Sequence, residues 1–321
     1  MKRWQLTAAA VAVATAVSLT NAPAALANPP GESNSWQPEK VGGNDLYSSD
    51  TMDEASHGTE LVQVYRNNDF VWFSFNHGAA FRVGVANTQV APRVITTREG
   101  YAAFHTGIDG NIYWSRTTQR PELIRGAPGT WGPWTRIGGQ TTNQSVSAVA
   151  TNQGIMMVYR GSGNDTRVFQ SWFDFGSGQW QAAAQINGGN SPSAPTVTYN
   201  PVFGEFAAVI RGQSDNRVYL SYQHFGQPQW TPWSRVRDVT VASSPTIAAT
   251  ANGDMIIVGR DTAGHLHLTT VNRSGGFEQW SDESTHWQAL TQPSITVLAN
   301  LAFLILTGLN HQVFYKQVYK K

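Results

Sequence analysis

Cysteine is absent from this chain of 321 residues, and charged residues make up only 13% of it. Without cysteine no disulfide can brace the fold, so its stability must come from a hydrophobic core, which a chain of this length can build. The formal net charge is +1. So small a charge argues against nucleic acid as a partner, because such binding needs a basic face.

The N-terminus carries a targeting pattern. An apolar run from Leu6 to Leu19 follows Lys2-Arg3, and Ala25-Leu26-Ala27 places small residues at a cleavage position. This pattern predicts a secretory signal peptide over residues 1–27. The run is short for a membrane span of about 20 residues. We therefore expect no membrane span, a secreted extracellular protein, and a short disordered lead-in at residues 28–34.

One strand pattern recurs through the rest of the chain. It has an aromatic residue or histidine at its second position and returns every 41 to 56 residues, as Val71-Trp72, Ile112-Tyr113, Val168-Phe169, Val218-Tyr219, Leu266-His267 and Val313-Phe314. A preceding apolar strand ends in a polar turn, as at Arg160-Gly161 and Arg211-Gly212. Asn, Asp and Gly in these turns tolerate positive φ and predict hairpins.

A tryptophan strand follows in most units, at Trp36, Trp131/Trp134, Trp180, Trp230/Trp233 and Trp280/Trp287. The unit at about residues 44–89 is the weakest, because it has neither the tryptophan nor the Gly-Gly that follows it elsewhere. Six units of about 49 residues, each with four strands, predict an all-β fold, a six-bladed β-propeller. If the weak unit is not a blade, five remain.

The two ends of the chain complement each other. Residues 35–43 match the mid-chain tryptophan strand at 130–139, whereas the last unit, 291–321, lacks such a strand. We expect residues 35–43 to pair with the strand around 313–318 and so to close the ring. The prediction is a single propeller domain over residues 35–321.

The tryptophan strand, the Arg-Gly-x-(x)-Asp turn and the Ser-x-Pro opening of several units together resemble the PLL-like and tectonin/tachylectin-type propeller lectins. Arg160-Gly161 with Asp165, Arg211-Gly212 with Asp215, and the pairs Trp131/Trp134 and Trp230/Trp233 carry the likeness. It covers residues 90–321 well and 36–89 poorly. The resemblance implies a sugar-binding propeller, often with sites between blades. Asp261 and Thr307 depart from the pattern, which implies that some units have lost a site.

The predicted ligand-binding residues are Arg160, Arg211, Arg260, Trp134, Trp233, Tyr219 and Phe169. Arginine presents a fixed fork of donors that suits vicinal hydroxyls, and a nearby ring offers an apolar face. Each residue type also has a structural interpretation. The tryptophans can pack between blades, and the arginines can satisfy carbonyl groups at strand ends.

Catalytic residues are not predicted, nor is a cofactor or a metal site. A glycosidase needs a pair of carboxyl groups, and Asp50, Asp53 and Glu54 are the only acids near an axial strand. His265 and His267 share a strand face without a carboxylate partner, which is a weak metal signal. The expected function is therefore binding of glycans or glycoconjugates, not catalysis. The main alternative is a platform for protein contacts without sugar affinity, and a glycoside hydrolase is a weaker alternative. The sequence is also compatible with a homo-oligomer.

Overall fold

A computed structural model describes residues 36–57, 60–117, 131–272, 276–282, 288–298 and 301–320. The predicted signal peptide and lead-in lie outside the described residues. No helix that could span a membrane occurs among the residues described. The described elements are all β-strands. Six sheets surround an axis, and a seventh sheet of two short strands lies outside the blades, so the predicted six-bladed propeller is confirmed.

The chain begins with three short strands, β1 Gln37–Pro38, β2 Lys40–Val41 and β3 Asn44–Asp45. Blade 1 follows with β4 Asp53–His57, β5 Glu60–Asn67 and β6 Phe70–Phe75. Blade 2 contains β7 Arg93–Thr97, β8 Gly100–Thr106, β9 Asn111–Arg116 and β10 Thr135–Thr141. Blade 3 contains β11 Ser147–Ala150, β12 Gly154–Arg160, β13 Arg167–Asp174, β14 Gln179–Trp180 and β15 Ala184–Asn190.

Blade 4 contains β16 Thr196–Asn200, β17 Glu205–Arg211, β18 Arg217–His224 and β19 Ser234–Thr240. Blade 5 contains β20 Thr246–Ala249, β21 Met255–Arg260, β22 Leu266–Val271 and β23 Ser281–Asp282. Blade 6 contains β24 Ser294–Leu298, β25 Leu301–Thr307 and β26 Val313–Lys320. Neighbouring strands within each blade pair antiparallel, as hairpin connections require.

Blade 1 corrects the expectation of four strands in every unit. Its weak repeat does form a blade, but only three of its segments are strands. An irregular segment takes the outer position, where Phe81 and Phe73 exchange backbone hydrogen bonds of 2.9 Å and the Val71 N–H donates to the Ala86 carbonyl over 3.1 Å. The missing tryptophan and Gly-Gly therefore reflect a different outer edge and not a missing blade.

The N-terminal strand closes the ring as predicted. β1 pairs antiparallel with β26, with Gln37 opposite Tyr315 and Pro38 opposite Phe314. Trp36 is only 2% exposed and packs into the hydrophobic cluster between blades 5 and 6. The ladder itself is two residues long, so the buried indole supplies much of the contact.

The core lies between the blades. Each of the six interfaces holds a cluster of buried apolar side chains contributed by the two blades that meet there. The inner strands contact one another in the order β4, β7, β11, β16, β20 and β24, and β24 contacts β4. Hydroxyl groups link these strands near the axis: Ser294 donates to the Met52 carbonyl over 2.7 Å, and Thr196 donates to the Pro245 carbonyl over 3.0 Å. Small hydroxyl side chains thus join neighbouring inner strands through backbone carbonyl groups.

Candidate functional site

Two interfaces between neighbouring blades share one arrangement around a tryptophan at the rim, and we call these two places the first and the second cleft. In the first cleft, between blades 1 and 2, the Trp134 indole N–H donates to the Val83 carbonyl over 2.7 Å. In the second cleft, between blades 3 and 4, the Trp233 indole N–H donates to the Asn187 carbonyl over 3.2 Å. Both indoles are half-buried and join an outer strand to the blade before it. The two positions are therefore structurally equivalent, as their places in the repeat predict.

The backbone beneath each indole is shaped by a left-handed glycine. Gly84 has φ +57° and Gly188 has φ +73°, a region that side chains rarely occupy. A Cβ placed on Gly84 or on Gly188 would lie 3.8 Å or 3.5 Å from Cδ1 of the nearby indole. The carbonyl group just before each glycine accepts the indole hydrogen bond. The glycine thus turns that carbonyl group toward the cleft.

The first tryptophan of each pair has a different role. Trp131 is 7% exposed, and its ring centroid lies 4.7 Å from that of Phe73 in the core between blades 1 and 2. Trp230 is half-buried and donates its indole N–H to Oε1 of Gln170 over 2.7 Å. A spacing of three residues therefore places one indole in the interface and the other at its rim.

A tyrosine and a turn aspartate lie beside each rim indole. The Tyr113 hydroxyl donates to Asp109 Oδ2 over 2.8 Å, and the Tyr219 hydroxyl donates to Asp215 Oδ2 over 2.8 Å. Hydrogen bonds, from Asn111 above all, lower the pKa of Asp109, while its bond to Tyr113 raises the pKa of that phenol. Each cleft thus presents an ionised carboxylate and a fixed phenol oxygen.

Arginines that sequence reasoning missed flank these tyrosines. Arg136 is paired with Tyr113 in the ladder of blade 2, and Arg235 is paired with Tyr219 in that of blade 4. Residues directly opposite in a ladder project to the same face of the sheet, and both arginines are exposed. The recurring position two residues after the second tryptophan could have revealed them. Tyr113 could have been found from the recurring aromatic strand.

The predicted arginines serve the fold first. Arg160 is 6% exposed and donates from Nε to Ser191 O over 3.0 Å, from Nη2 to Gly163 O over 2.9 Å, and from Nη1 to both Asn143 Oδ1 and Gly161 O. The guanidinium groups of Arg211 and Arg260 donate to the Ala242 and Ala289 carbonyls. The carbonyl groups of Ser191, Ala242 and Ala289 lie on connections that lead to the next blade, whereas those of Gly161 and Gly163 lie in the turn between β12 and β13.

Phe169 lies apart from both tryptophan clefts. It packs in the cluster between blades 2 and 3, where its ring centroid is 5.6 Å from that of Tyr159. The Arg167 guanidinium lies 5.3 Å from the centre of the Phe169 ring. Gln185 is its ladder partner, and no second tryptophan stands at this outer strand. The structure therefore brings Tyr219 and Trp233 to one cleft and places Phe169 in another.

The first cleft has a further aromatic side chain. The His105 ring meets Trp134 edge to face with centroids 4.6 Å apart and stacks on Tyr113 at 5.2 Å. Burial lowers the pKa of His105 to about 4, so the ring is neutral at pH 7. Ile210 takes the equivalent position in the second cleft, opposite Tyr219. The two clefts share a frame and differ in polarity.

The axial acids are held by the protein. A central cavity of about 310 Å³ is lined by the inner strands and includes Asp53 and Glu54. Asp53 accepts from the Val94 N–H over 3.0 Å and lies 3.5 Å from Arg93 Nη1, whereas Glu54 accepts from Gln63 over 3.0 Å. Successive side chains on a strand point to opposite faces, so these neighbours do not form one carboxyl pair. Within the described ranges, no group of three or more His, Cys, Asp or Glu side chains is placed to hold a metal ion.

Comparisons with known proteins support the fold. No protein-family model matches the chain, and no curated protein sequence matches it. Among solved structures it is similar to a six-bladed propeller lectin of Aleuria aurantia, described by its fucose recognition, with a TM-score of 0.59, 9% identity, and coverage of 88% of this chain and 96% of that one.

Two further structures show the same likeness. A mutant of AofleA from Arthrobotrys oligospora matches with a TM-score of 0.63, 10% identity, and coverage of 89% and 88% of the two chains. A protein of unknown function from Dyadobacter fermentans matches with a TM-score of 0.62, 10% identity, and coverage of 88% and 97%. At these identities the likeness establishes a six-bladed propeller fold.

Proposed function

We propose that this protein is a non-catalytic, carbohydrate-binding propeller whose glycan sites are the two tryptophan clefts. The observation that carries the proposal is the equivalence of Trp134 and Trp233, each at the rim of an interface between blades beside a Tyr–Asp pair. A protein that reuses one weak site gains avidity on a multivalent glycan. Repetition of the whole arrangement fits that mode of binding.

The chemistry of the clefts suits a sugar. A half-buried indole offers an apolar face, and the carboxylate of Asp109 or Asp215 can accept hydrogen bonds from hydroxyl groups. The exposed Arg136 and Arg235 supply donors in a planar fork. Among the structures with a similar fold are fucose-specific lectins, which point in the same direction. Membership of the PLL-like or tectonin group stays part of this proposal.

The test is a glycan array followed by calorimetric titration of the bound sugars. Trp134→Ala and Trp233→Ala should each weaken binding, and the double variant should abolish it. Trp180→Ala is the matched control, because Trp180 is a half-buried tryptophan on an outer strand without a second indole. Full binding by the double variant would exclude the clefts as sites. The absence of any sugar binding at millimolar concentrations would exclude the function.

Binding without hydrolysis is the second part of the proposal. The axial acids Asp50 and Asp53 are engaged by the protein, the first by the Thr51 N–H over 2.8 Å and the second by Arg93 and the Val94 N–H. Incubation with aryl glycosides and polysaccharides should therefore give no turnover. Turnover that Asp50→Asn or Asp53→Asn abolishes would make the protein a glycosidase.

Secretion is proposed from the N-terminal sequence alone. Expression with residues 1–27 should deliver to the medium a protein that begins at Asn28, which N-terminal sequencing would establish. Retention of an uncleaved chain in the cell would contradict this.

A homo-oligomer, which would multiply the clefts, is tested by light scattering of the same sample.

A protein-contact platform is the second candidate, favoured by one surface. At the end of the propeller where the first and second strands of each blade are joined, a cavity of about 630 Å³ is lined by Arg98, Gln153, Tyr199 and Phe225, among others. Val202 and Phe203, which follow Pro201 of its lining, are 46% and 42% exposed. Exposed apolar groups beside a concave surface are typical of contact sites. Loss of a partner on Phe203→Ser, with sugar binding unchanged or absent, would favour this candidate.

A further inference from the structure

The seam where blade 6 meets blade 1 contains a buried polar cluster at the point of ring closure. After β1, Glu39 is 3% exposed in this seam. Its Oε1 accepts from the Lys40 N–H over 3.0 Å and from Gln63 Nε2 over 2.9 Å, and it lies 2.7 Å from His77 Nδ1. One carboxylate thus ties the N-terminal segment to β5 and to the chain just after β6.

A second carboxyl group shares the same partner. Glu54, on the inner strand β4, accepts from Gln63 Nε2 over 3.0 Å. Since both carboxyl groups bind one nitrogen atom, their contacting oxygens lie within about 6 Å of each other, a range in which like charges disfavour each other's ionisation. Burial adds to this cost, because Glu39 is almost fully buried and Glu54 is half-buried in the wall of the central cavity. The geometry therefore favours a proton on one of the two acids.

The other groups that face the cluster do not compensate for a second negative charge. Burial raises the pKa of both Tyr65 and Tyr315 to about 12, so both stay neutral. Lys40 and Asp45 form their own ion pair at the edge of the seam. Asp53 points to the opposite face of β4, where it meets Arg93. His77 is the cation that the cluster itself contains.

We propose that this cluster is a pH-sensitive latch on ring closure. It holds the N-terminal segment and blade 1 together while Glu54 and His77 keep their protons, and it weakens when those protons leave. In the protonated state a neutral Glu54 and a cationic His77 accompany the Glu39 carboxylate. In the deprotonated state two carboxylates share one amide group inside the seam. The latch is independent of whether the clefts bind sugars.

The direction of the pH dependence follows from both groups. Burial and the charge of Glu39 raise the pKa of Glu54 to about 8. Burial lowers the pKa of His77, but its hydrogen bond to Glu39 and the two nearby carboxyl groups outweigh that effect and raise it. A group whose folded pKa is raised stabilises the fold below its unfolded pKa and loses that contribution as pH rises through the folded value. The seam therefore weakens from mildly acidic solution toward about pH 8.

Backbone amides in the seam report the latch directly. Glu39 N–H donates to Val313 O over 2.9 Å, Leu46 N–H donates to Glu39 O over 2.8 Å, and Val313 N–H donates to Leu46 O over 2.9 Å. Hydrogen exchange of the unmodified full chain is measured between about pH 6 and pH 9. Protection factors at these amides, corrected for intrinsic base catalysis, should fall by up to about tenfold per pH unit for each proton lost. The control amide is Gly212 N–H in blade 4, which donates to Arg217 O over 2.7 Å.

A variant separates titration from packing. Glu54→Gln keeps the shape of the side chain and fixes the neutral state, so it should flatten the pH dependence of the melting temperature. Glu99→Gln is the control, because Glu99 is 42% exposed and pairs with Arg116 on blade 2, away from the seam; it should keep the slope of the parent protein. An equal change in melting temperature at every pH for Glu54→Gln would overturn the latch. If that variant does not fold, seam amides whose protection tracks the Gly212 control would overturn it equally.

Discussion

Residues that recur along the chain have two different roles in this propeller. Arg160 donates to carbonyl groups of its own turn and of the connection to the next blade, whereas Trp134 and Trp233 lie at the rims of two clefts. Both uses follow from one constraint: buried backbone carbonyls near strand ends need a donor. A repeated polar residue is therefore evidence for a repeated structural need before it is evidence for a ligand.

The two rim indoles give a prediction at this scale. Trp134→Phe and Trp233→Phe keep an aromatic ring but lose the indole N–H that donates to a carbonyl of the preceding blade, together with part of the ring. The lost hydrogen bond should lower the free energy of unfolding by about 1 kcal/mol in each variant, and the smaller ring should add to that loss. The two losses, measured by urea denaturation, should be of similar size because each indole donates to the equivalent carbonyl group of the preceding blade. A loss confined to one position would contradict that equivalence.

The arginines give a second prediction. Arg160→Met should lower the free energy of unfolding by roughly 2–4 kcal/mol, because it leaves several buried acceptors without their donor. Arg260→Met should lower the free energy of unfolding by only about 1 kcal/mol. Arg260 is more exposed than Arg160, and its Nε donates to the Ala289 carbonyl. Chemical denaturation of both variants gives the comparison. Equal losses would show that the number of hydrogen bonds does not set the cost.

At the scale of elements, corresponding strands build clefts that differ in one side chain. Strand β8 places His105 beside Trp134, and strand β17 places Ile210 at the equivalent point. The difference matters because an imidazole can gain a charge and an isoleucine cannot. The first cleft is therefore the acid-sensitive one.

His105 gives the prediction at this scale. Its pKa is lowered to about 4 by burial, below its unfolded value, so its contribution is fully present above about pH 6.5 and is lost as pH falls through 4. His105→Phe should remove up to about 3 kcal/mol of acid destabilisation over this range. Urea denaturation at several pH values measures it. Ile210→Val, a small change at the equivalent position, should leave the acid limb unaltered.

At the scale of the whole molecule, ring closure depends on a short segment at the N-terminus. β1 contributes two ladder residues, Trp36 fills the cluster between blades 5 and 6, and Glu39 enters the seam with blade 1. The same segment thus completes one interface and fastens the next. Loss of this segment should therefore destabilise the whole propeller.

A truncation tests this dependence. A chain without residues 28–43 should melt at a sharply lower temperature than one that begins at Asn28, because burial of Trp36 alone is expected to contribute about 3–5 kcal/mol. A chain that begins at Ser35 is the control and should melt as the longer chain does. An unchanged melting curve for the larger deletion would show that the ring is closed by other contacts.

The repeat by itself predicted the propeller fold, the order of strands and the closing strand, and it left only a choice between six blades and five. Periodic apolar strands separated by turn residues have few ways to bury their faces, so the spacing of Val168-Phe169, Val218-Tyr219 and their equivalents was sufficient. It also predicted that Trp134 and Trp233 would be equivalent. The irregular outer edge of blade 1 could not be predicted. It is held by backbone hydrogen bonds at Phe81 and Ala86, and such bonds do not require a particular pattern of side chains.

Only the tertiary structure decided which repeated residues meet. Arg160 and Trp233 belong to the same repeat pattern. The guanidinium group of Arg160 donates to backbone carbonyl groups, whereas the indole of Trp233 lies at the rim of a cleft. The seam was beyond prediction for the same reason: Glu39, Glu54 and His77 lie on three separate segments of the chain and follow no repeat. Their chemistry arises because ring closure brings the first residues of the fold against its first blade, and contacts between such segments depend on the path of the whole chain.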